Sequence, residues 1–135
     1  MAAGLPTEGK NAQQPRAGDL AKKDVPTAAP GEKLEDVRKR VREAGFDAVV
    51  VVNDQRVVLG LLRAKELEKD GELTVEKAMR PGPSTFRTYV SAKEMADFMT
   101  GHKLESSPIT TSEGRLVGLL YQADAVAAAK SQGGA

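Results

Sequence analysis

Two apolar runs, each followed by a polar turn and a second apolar run, set the pattern of this 135-residue chain. The first is Ala48-Val49-Val50-Val51-Val52, then Asn53-Asp54-Gln55-Arg56, then Val57-Val58-Leu59-Gly60-Leu61-Leu62. The second is Ser106-Ser107-Pro108-Ile109-Thr110, then Thr111-Ser112-Glu113-Gly114, then Leu116-Val117-Gly118-Leu119-Leu120. Short apolar runs bounded by turn residues predict strands, and the lack of alternation through Val49–Val52 predicts a strand covered on both faces. The glycine inside each second run marks a close approach of another backbone or of a ligand. Gly60 and Gly118 lie 58 residues apart.

Helical spacing appears between the runs. Leu34, Val37, Val41 and Ala44 share one face, with Glu35, Asp36, Arg38, Lys39, Arg40 and Arg42 on a solvated one, and Gly45 sits where the helix stops. In the second half Ser91-Ala92-Lys93-Glu94 has capping-box spacing, and Ala92, Met95, Ala96 and Met99 follow on one face. A short helix is predicted over Ala64–Lys69 and an alanine-rich one from Gln122 to about Lys130. Lead-in turns are predicted at Asp19–Ala21 and Thr74–Met79, the latter stopped by Pro81-Gly82-Pro83.

The 58-residue offset holds without a gap from Thr27/Thr85 through Val37/Met95 and Val41/Met99 to Leu67/Ala125. Each half is then one strand–helix–strand–strand–helix unit that cannot bury its apolar face alone. The expected fold is α/β (α+β), with the two β-α-β-β-α units packed sheet to sheet about a pseudo-twofold axis and two related clefts between them. The boundaries are a disordered leader over 1–18, one repeat over 19–72, a second over 73–130 and a disordered tail over 131–135. The leader has too little apolar surface to offset an ordering cost of roughly 1–2 kcal/mol per residue.

Composition narrows the function. Twenty Lys and Arg against nineteen Asp and Glu leave a formal charge of +1, which gives no case for nucleic acid or an anionic membrane. With no cysteine and one histidine, disulfides, thiolate zinc sites and Cys–His dyads are excluded, and a His-based metal cluster has too few ligands. His102 follows Gly101 at a helix end, where its imidazolium would meet the dipole favourably. No Gly-x-Ser-x-Gly elbow, Walker loop or dinucleotide loop is present, so no catalytic residue, metal or catalytic cofactor is expected and the chain reads as a non-enzyme. No stretch approaches the ~20 apolar residues of a bilayer span, and the first residues lack a secretory signal's apolar core. A soluble, cytoplasmic protein is the expectation.

The element order, the Ser-Ser-Pro-Ile-Thr strand, the Glu-Gly-Arg-Leu-Val-Gly-Leu-Leu hairpin and the acidic residue after it resemble a tandem cystathionine-β-synthase (CBS) domain pair, or Bateman module, over roughly residues 19–130. The resemblance implies a regulatory module, often a homodimer, that binds an adenosine-containing ligand between its repeats: AMP, ADP, ATP or S-adenosylmethionine. In such modules the glycine-containing strand leads to Ser or Thr, two residues, then an aspartate that accepts hydrogen bonds from ribose. That places Asp124 on ribose, with Tyr121 in place of the hydroxyl residue. In the first half Arg63 and Glu66 hold the matching positions.

Each candidate has a plainer reading. Asp124 also suits the first turn of a helix. Arg63, with Lys65 beside it, could pair with phosphate or remain solvated. Thr27 and Thr85 could meet a base or phosphate or only form turns, Pro108 lies in the matching strand, and Tyr121 either stacks on a base or plugs the cleft. A ligand-free homodimeric scaffold acting on a partner protein is the alternative function.

Overall fold

The computed structural model describes residues 15–133. In chain order the elements are α1 (Ala17–Leu20), β1 (Thr27–Ala28), α2 (Leu34–Glu43), β2 (Val49–Val52), β3 (Val58–Leu62), α3 (Ala64–Leu67), α4 (Val75–Ala78), β4 (Arg80–Pro81), β5 (Phe86–Arg87), α5 (Ala92–Gly101), β6 (Ser106–Thr110), β7 (Leu116–Tyr121) and α6 (Gln122–Gly133). The first sheet has the order β1-β2-β3-β4 and the second β5-β6-β7. In each, the first strand is parallel to the second, and the second and third form an antiparallel hairpin.

The repeat extends to the hydrogen-bond register. Val49 pairs with Leu62, Val50 with Leu61 and Val51 with Gly60. Moved by 58 residues, these become the observed pairs Ser107–Leu120, Pro108–Leu119 and Ile109–Gly118. The irregularity also recurs, between Val51 and Val52 and between Ile109 and Thr110. The equivalent residues Val57 and Arg115 bridge each other, which puts the pseudo-twofold axis between the two hairpins. Around it Val58 N donates to Gly114 O at 3.0 Å and Leu116 N to Arg56 O at 2.8 Å.

Side-chain alternation explains the valine run. Val49 and Val51 join Leu34, Val37 and Val41 of α2 in the core of the first repeat. Val50 and Val52 point the other way, with Val25, Leu61, Leu116 and Leu119, into a core between the sheets. Successive strand residues face opposite sides, so both faces need apolar residues. Met95, Met99, Ile109, Leu120 and Ala125 form the third core, in the second repeat. The methionines are thus filling, as helical spacing suggests.

The lead-in segments are exchanged between the halves. Ala17 and Ala21 pack into the core of the second repeat, and Val75 and Ala78 into that of the first. Beyond α1, Lys22 bridges Leu119 with bonds of 2.8 and 3.0 Å in both directions, and Arg80 of β4 pairs with the equivalent Leu61. A strand position at the edge of each sheet is therefore supplied by the other repeat. This is the reason for the two glycines. A Cβ on Gly118 would lie 2.8 Å from Lys22 O and 3.0 Å from Ala21 Cβ, and one on Gly60 would meet the Met79 thioether and Arg80 O.

Several expectations shift in detail. The first lead-in starts at Ala17 rather than Asp19, α3 ends at Leu67 before Lys69, and α6 runs to Gly133, past Lys130. β4 falls on Arg80–Pro81, where the prolines predicted only a stop. The remainder of the predicted leader, residues 1–14, and the last two residues of the tail lie outside the described residues. Ser91 Oγ accepts the Glu94 amide at 3.1 Å, as its spacing predicts. Two charges on the outer face of α2 do more than meet solvent. Arg38 donates to the Leu67 and Lys69 carbonyls, and Arg40 to Glu32 and, at 2.8 Å, to Thr27 O. No described helix is long and apolar enough to cross a membrane.

Candidate functional site

Two clefts flank the core between the sheets, and the same 58-residue offset relates them. Cleft A is built from Lys22 and Asp24 before β1, Gly45, Phe46 and Asp47 before β2, and Tyr121, Ala123 and Asp124 at the β7–α6 junction. Cleft B has Arg80, Gly82, Pro83 and Ser84 before β5, Leu104, Glu105 and Ser106 entering β6, and Leu61 and Arg63 at the β3–α3 junction. Each joins two pre-strand segments of one repeat to a strand–helix junction of the other. Cleft A is open and about 660 Å³, within the ~300–1,000 Å³ typical of small-molecule sites. Cleft B is about 90 Å³, room for about three waters at ~30 Å³ each.

The acidic residues at the two junctions have different surroundings. Asp124, in the first turn of α6, keeps a side chain 44% exposed, and its ion-pair partner among the described residues is Lys22 Nζ at 4.0 Å. A carboxylate so placed has lone pairs free for two donors. Glu66 is buried and bonded to its own junction. It accepts Arg63 N at 2.8 Å and Nε at 3.0 Å on one oxygen, and Arg63 Nη2 at 2.9 Å on the other. Burial pushes the Glu66 carboxyl up, but the Arg63 hydrogen bonds and charge outweigh this and hold it below its ordinary value. The same contact raises the Arg63 guanidinium.

Tyr121 is half-buried against the core between the sheets and forms a wall of cleft A. Burial, then the charges of Asp47, Asp124 and Asp24, push its phenol up to about 12. It stays protonated at neutral pH, with a hydroxyl able to donate.

The structure brings Tyr121 and Asp124 together in cleft A and places Arg63, with Glu66 behind it, at cleft B. Thr27, Thr85 and Pro108 line neither. Thr27 pairs with Val50 in β1 and gives its carbonyl to Arg40, Thr85 precedes β5, and Pro108 is buried in β6 opposite Leu119. His102 stands at the end of α5 with Nδ1 2.9 Å from Phe98 O and its ring stacked on Phe98 at 4.0 Å. Among the described residues no three His, Cys, Asp or Glu side chains are grouped to hold a metal.

Sequence reasoning passed over Lys22, Asp24 and Asp47. Its usable signal was the offset itself, which pairs Lys22 with Arg80 and Asp47 with Glu105 just ahead of corresponding strands.

The family model described as CBS domain matches twice, over residues 17–69 and 75–131. The inosine-5'-monophosphate dehydrogenase of Korarchaeum cryptofilum is 27% identical over 111 residues, which cover 81% of this chain but 23% of that enzyme. Among solved structures, the cytosolic domain of the Mg2+ channel MgtE in complex with ATP aligns with a TM-score of 0.77 and 25% identity, covering 84% of this chain and 48% of that one. The CBS domain pair of protein MJ0100, in complex with 5'-methylthioadenosine and S-adenosyl-L-methionine, aligns with a TM-score of 0.77, 16% identity and coverage of 88% and 98%. With both repeats matched and their registers superposable, the chain belongs to the CBS-domain family.

Proposed function

We propose that this CBS pair is a regulatory, non-catalytic module that binds an adenosine-containing ligand in cleft A. The observation that supports this most is Asp124, a half-exposed carboxylate whose ion pair among the described residues is the long 4.0 Å contact to Lys22, at the edge of a ligand-sized cleft. A ribose diol offers two hydroxyl donors, and a carboxylate accepts both and donates none. Phe46 and Tyr121 supply aromatic surface beside it for a base. MgtE and MJ0100 were solved with adenosine-containing molecules, which favours the same ligand class here. Binding across cleft A would join segments of both repeats and thus alter how the module meets a partner. The small volume and internal ion pair of cleft B favour a ligand-free reading for that side.

A ligand that binds only the native state stabilises it by RT ln(1 + [L]/Kd), about 2.7 kcal/mol at a hundredfold excess over Kd. Thermal unfolding with AMP, ADP, ATP and S-adenosylmethionine at millimolar concentration should show an upward shift with at least one. Asp124→Ala should remove that shift while unfolding cooperatively on its own. No shift with any of the four, or an undiminished shift in Asp124→Ala, would reject the site.

A further inference from the structure

The two clefts descend from one unit, yet their charges have diverged. Among the described residues cleft A presents Asp24, Asp47 and Asp124 against one lining cation, Lys22, while Arg63, already paired with Glu66, stands on the Asp47–Tyr121 side. At the equivalent positions cleft B has Gly82, Glu105, Glu66 and Arg80. Its lining arginines, Arg63 and Arg80, face Glu105, while the Glu66 charge is held by Arg63. The same scaffold thus carries an acidic cleft and a smaller one whose charges nearly balance.

The acidic balance of cleft A bears on the kind of adenosine compound it accepts. A phosphate monoester brings about −1.5 to −2 charge at neutral pH. Inside a concave site, carboxylates of one sign focus a repelling field on that charge. Two positive features oppose this. Lys22 is one, but its ammonium already lies 4.0 Å from Asp124. The other is the N-terminus of α6, whose partial charge is offset by Asp124 in its own first turn. Tyr121 registers the same field, since Asp47, Asp124 and Asp24 add to burial in holding its proton. A neutral nucleoside meets no such repulsion, and a cationic one is attracted.

We infer that cleft A selects adenosine compounds without phosphate, and favours one carrying a positive centre, such as a sulfonium, over any nucleotide. This rests on the reading of cleft A as an adenosine site and adds a charge filter to it. Ribose recognition through Asp124 admits the class; Asp24 and Asp47, which approach from the first repeat, sort it by charge.

Isothermal titration of the full chain at pH 7 and low salt, with adenosine, S-adenosylmethionine, AMP and ATP, tests the filter. AMP should bind at least about tenfold more weakly than adenosine, equivalent to about 1.4 kcal/mol, and S-adenosylmethionine at least as tightly. Raising the salt to about 1 M shortens the screening length to about 3 Å and should narrow the gap between AMP and adenosine. The variant D24N/D47N should raise the ratio of AMP to adenosine affinity about threefold or more. AMP or ATP binding the wild-type chain as tightly as adenosine would overturn the filter and leave the adenosine site standing. A gap that responds neither to salt nor to D24N/D47N would also overturn the filter. No binding by any of the four compounds would overturn the filter and the site together.

Discussion

Gly118→Ala should destabilise the fold by about 3 kcal/mol, near the upper end of the usual range for overpacking. The new methyl would sit 2.8 Å from Lys22 O and 3.0 Å from Ala21 Cβ. Neither can retreat cheaply. Lys22 is bonded to Leu119 through both its N–H and its carbonyl, and Ala21 is packed in the core of the second repeat. Gly60→Ala probes the equivalent crossing, but the Met79 thioether there is the flexible end of a side chain, with Arg80 O next at 3.0 Å. It should cost about 1 kcal/mol. Gly31→Ala, with nothing within 4 Å of the added methyl, should stay within about 0.5 kcal/mol. Urea unfolding of the three variants checks the ranking. Equal, small effects at Gly118 and Gly60 would mean that the exchanged segments do not cross the sheets where described. Because Lys22 and Asp24 wall cleft A, Gly118→Ala should also weaken any ligand bound there.

Arg63→Ala should cost about 2 kcal/mol at pH 7, roughly 8 °C in Tm for a chain of this size. It strips the guanidinium from a buried carboxylate, a change that typically costs ~3–5 kcal/mol; the figure is lowered because Arg63 itself is 32% exposed. The pH dependence carries the sign. In the wild type the Glu66 carboxyl is held below its unfolded value, so its contribution is present above that value, about 4.3, and is lost as the pH falls through the folded one. Without the guanidinium, burial is opposed only by the backbone amides of residues 63 and 66, so the folded value rises. Ionised Glu66 then contributes less at neutral pH than in the wild type, and protonating it in acid removes the difference. The deficit of Arg63→Ala should therefore shrink below about pH 4. A deficit independent of pH would show that Arg63 acts by packing alone.

The organisation of the molecule is legible in the sequence because the repeat is ungapped and its strands are strongly apolar. Gly60 and Gly118 were readable as close approaches, yet the sequence could not say whether a backbone or a ligand came near. At Gly118 it is the Lys22 carbonyl and at Gly60 the Met79 side chain with the Arg80 carbonyl, supplied by segments beside four-residue helices too short to show a period. The exchange of α1 and α4 was hidden for that reason, and because the bridges at Lys22 and Arg80 are made by main-chain atoms. At the clefts, the resemblance to CBS pairs singles out Asp124, whereas Asp24 and Asp47 stand in short connections where an acidic residue reads as solvated. The Arg63–Glu66 contact had a signal in its i, i+3 spacing, but its burial depends on the sheet behind it. Arg38 and Arg40 likewise read as surface charge until the carbonyls they reach are in place.

The central claim is that two copies of one unit meet so that cleft A, made from both, holds an adenosine compound. Amide chemical-shift mapping of the labelled chain titrated with adenosine tests it most directly. Saturable shifts are expected together on Lys22, Asp24, Gly45 and Asp47 of the first repeat and on Tyr121, Ala123 and Asp124 of the second, with Arg80, Gly82 and Ser84 of cleft B unmoved. Shifts confined to one repeat, centred on cleft B, or absent at millimolar adenosine would contradict it.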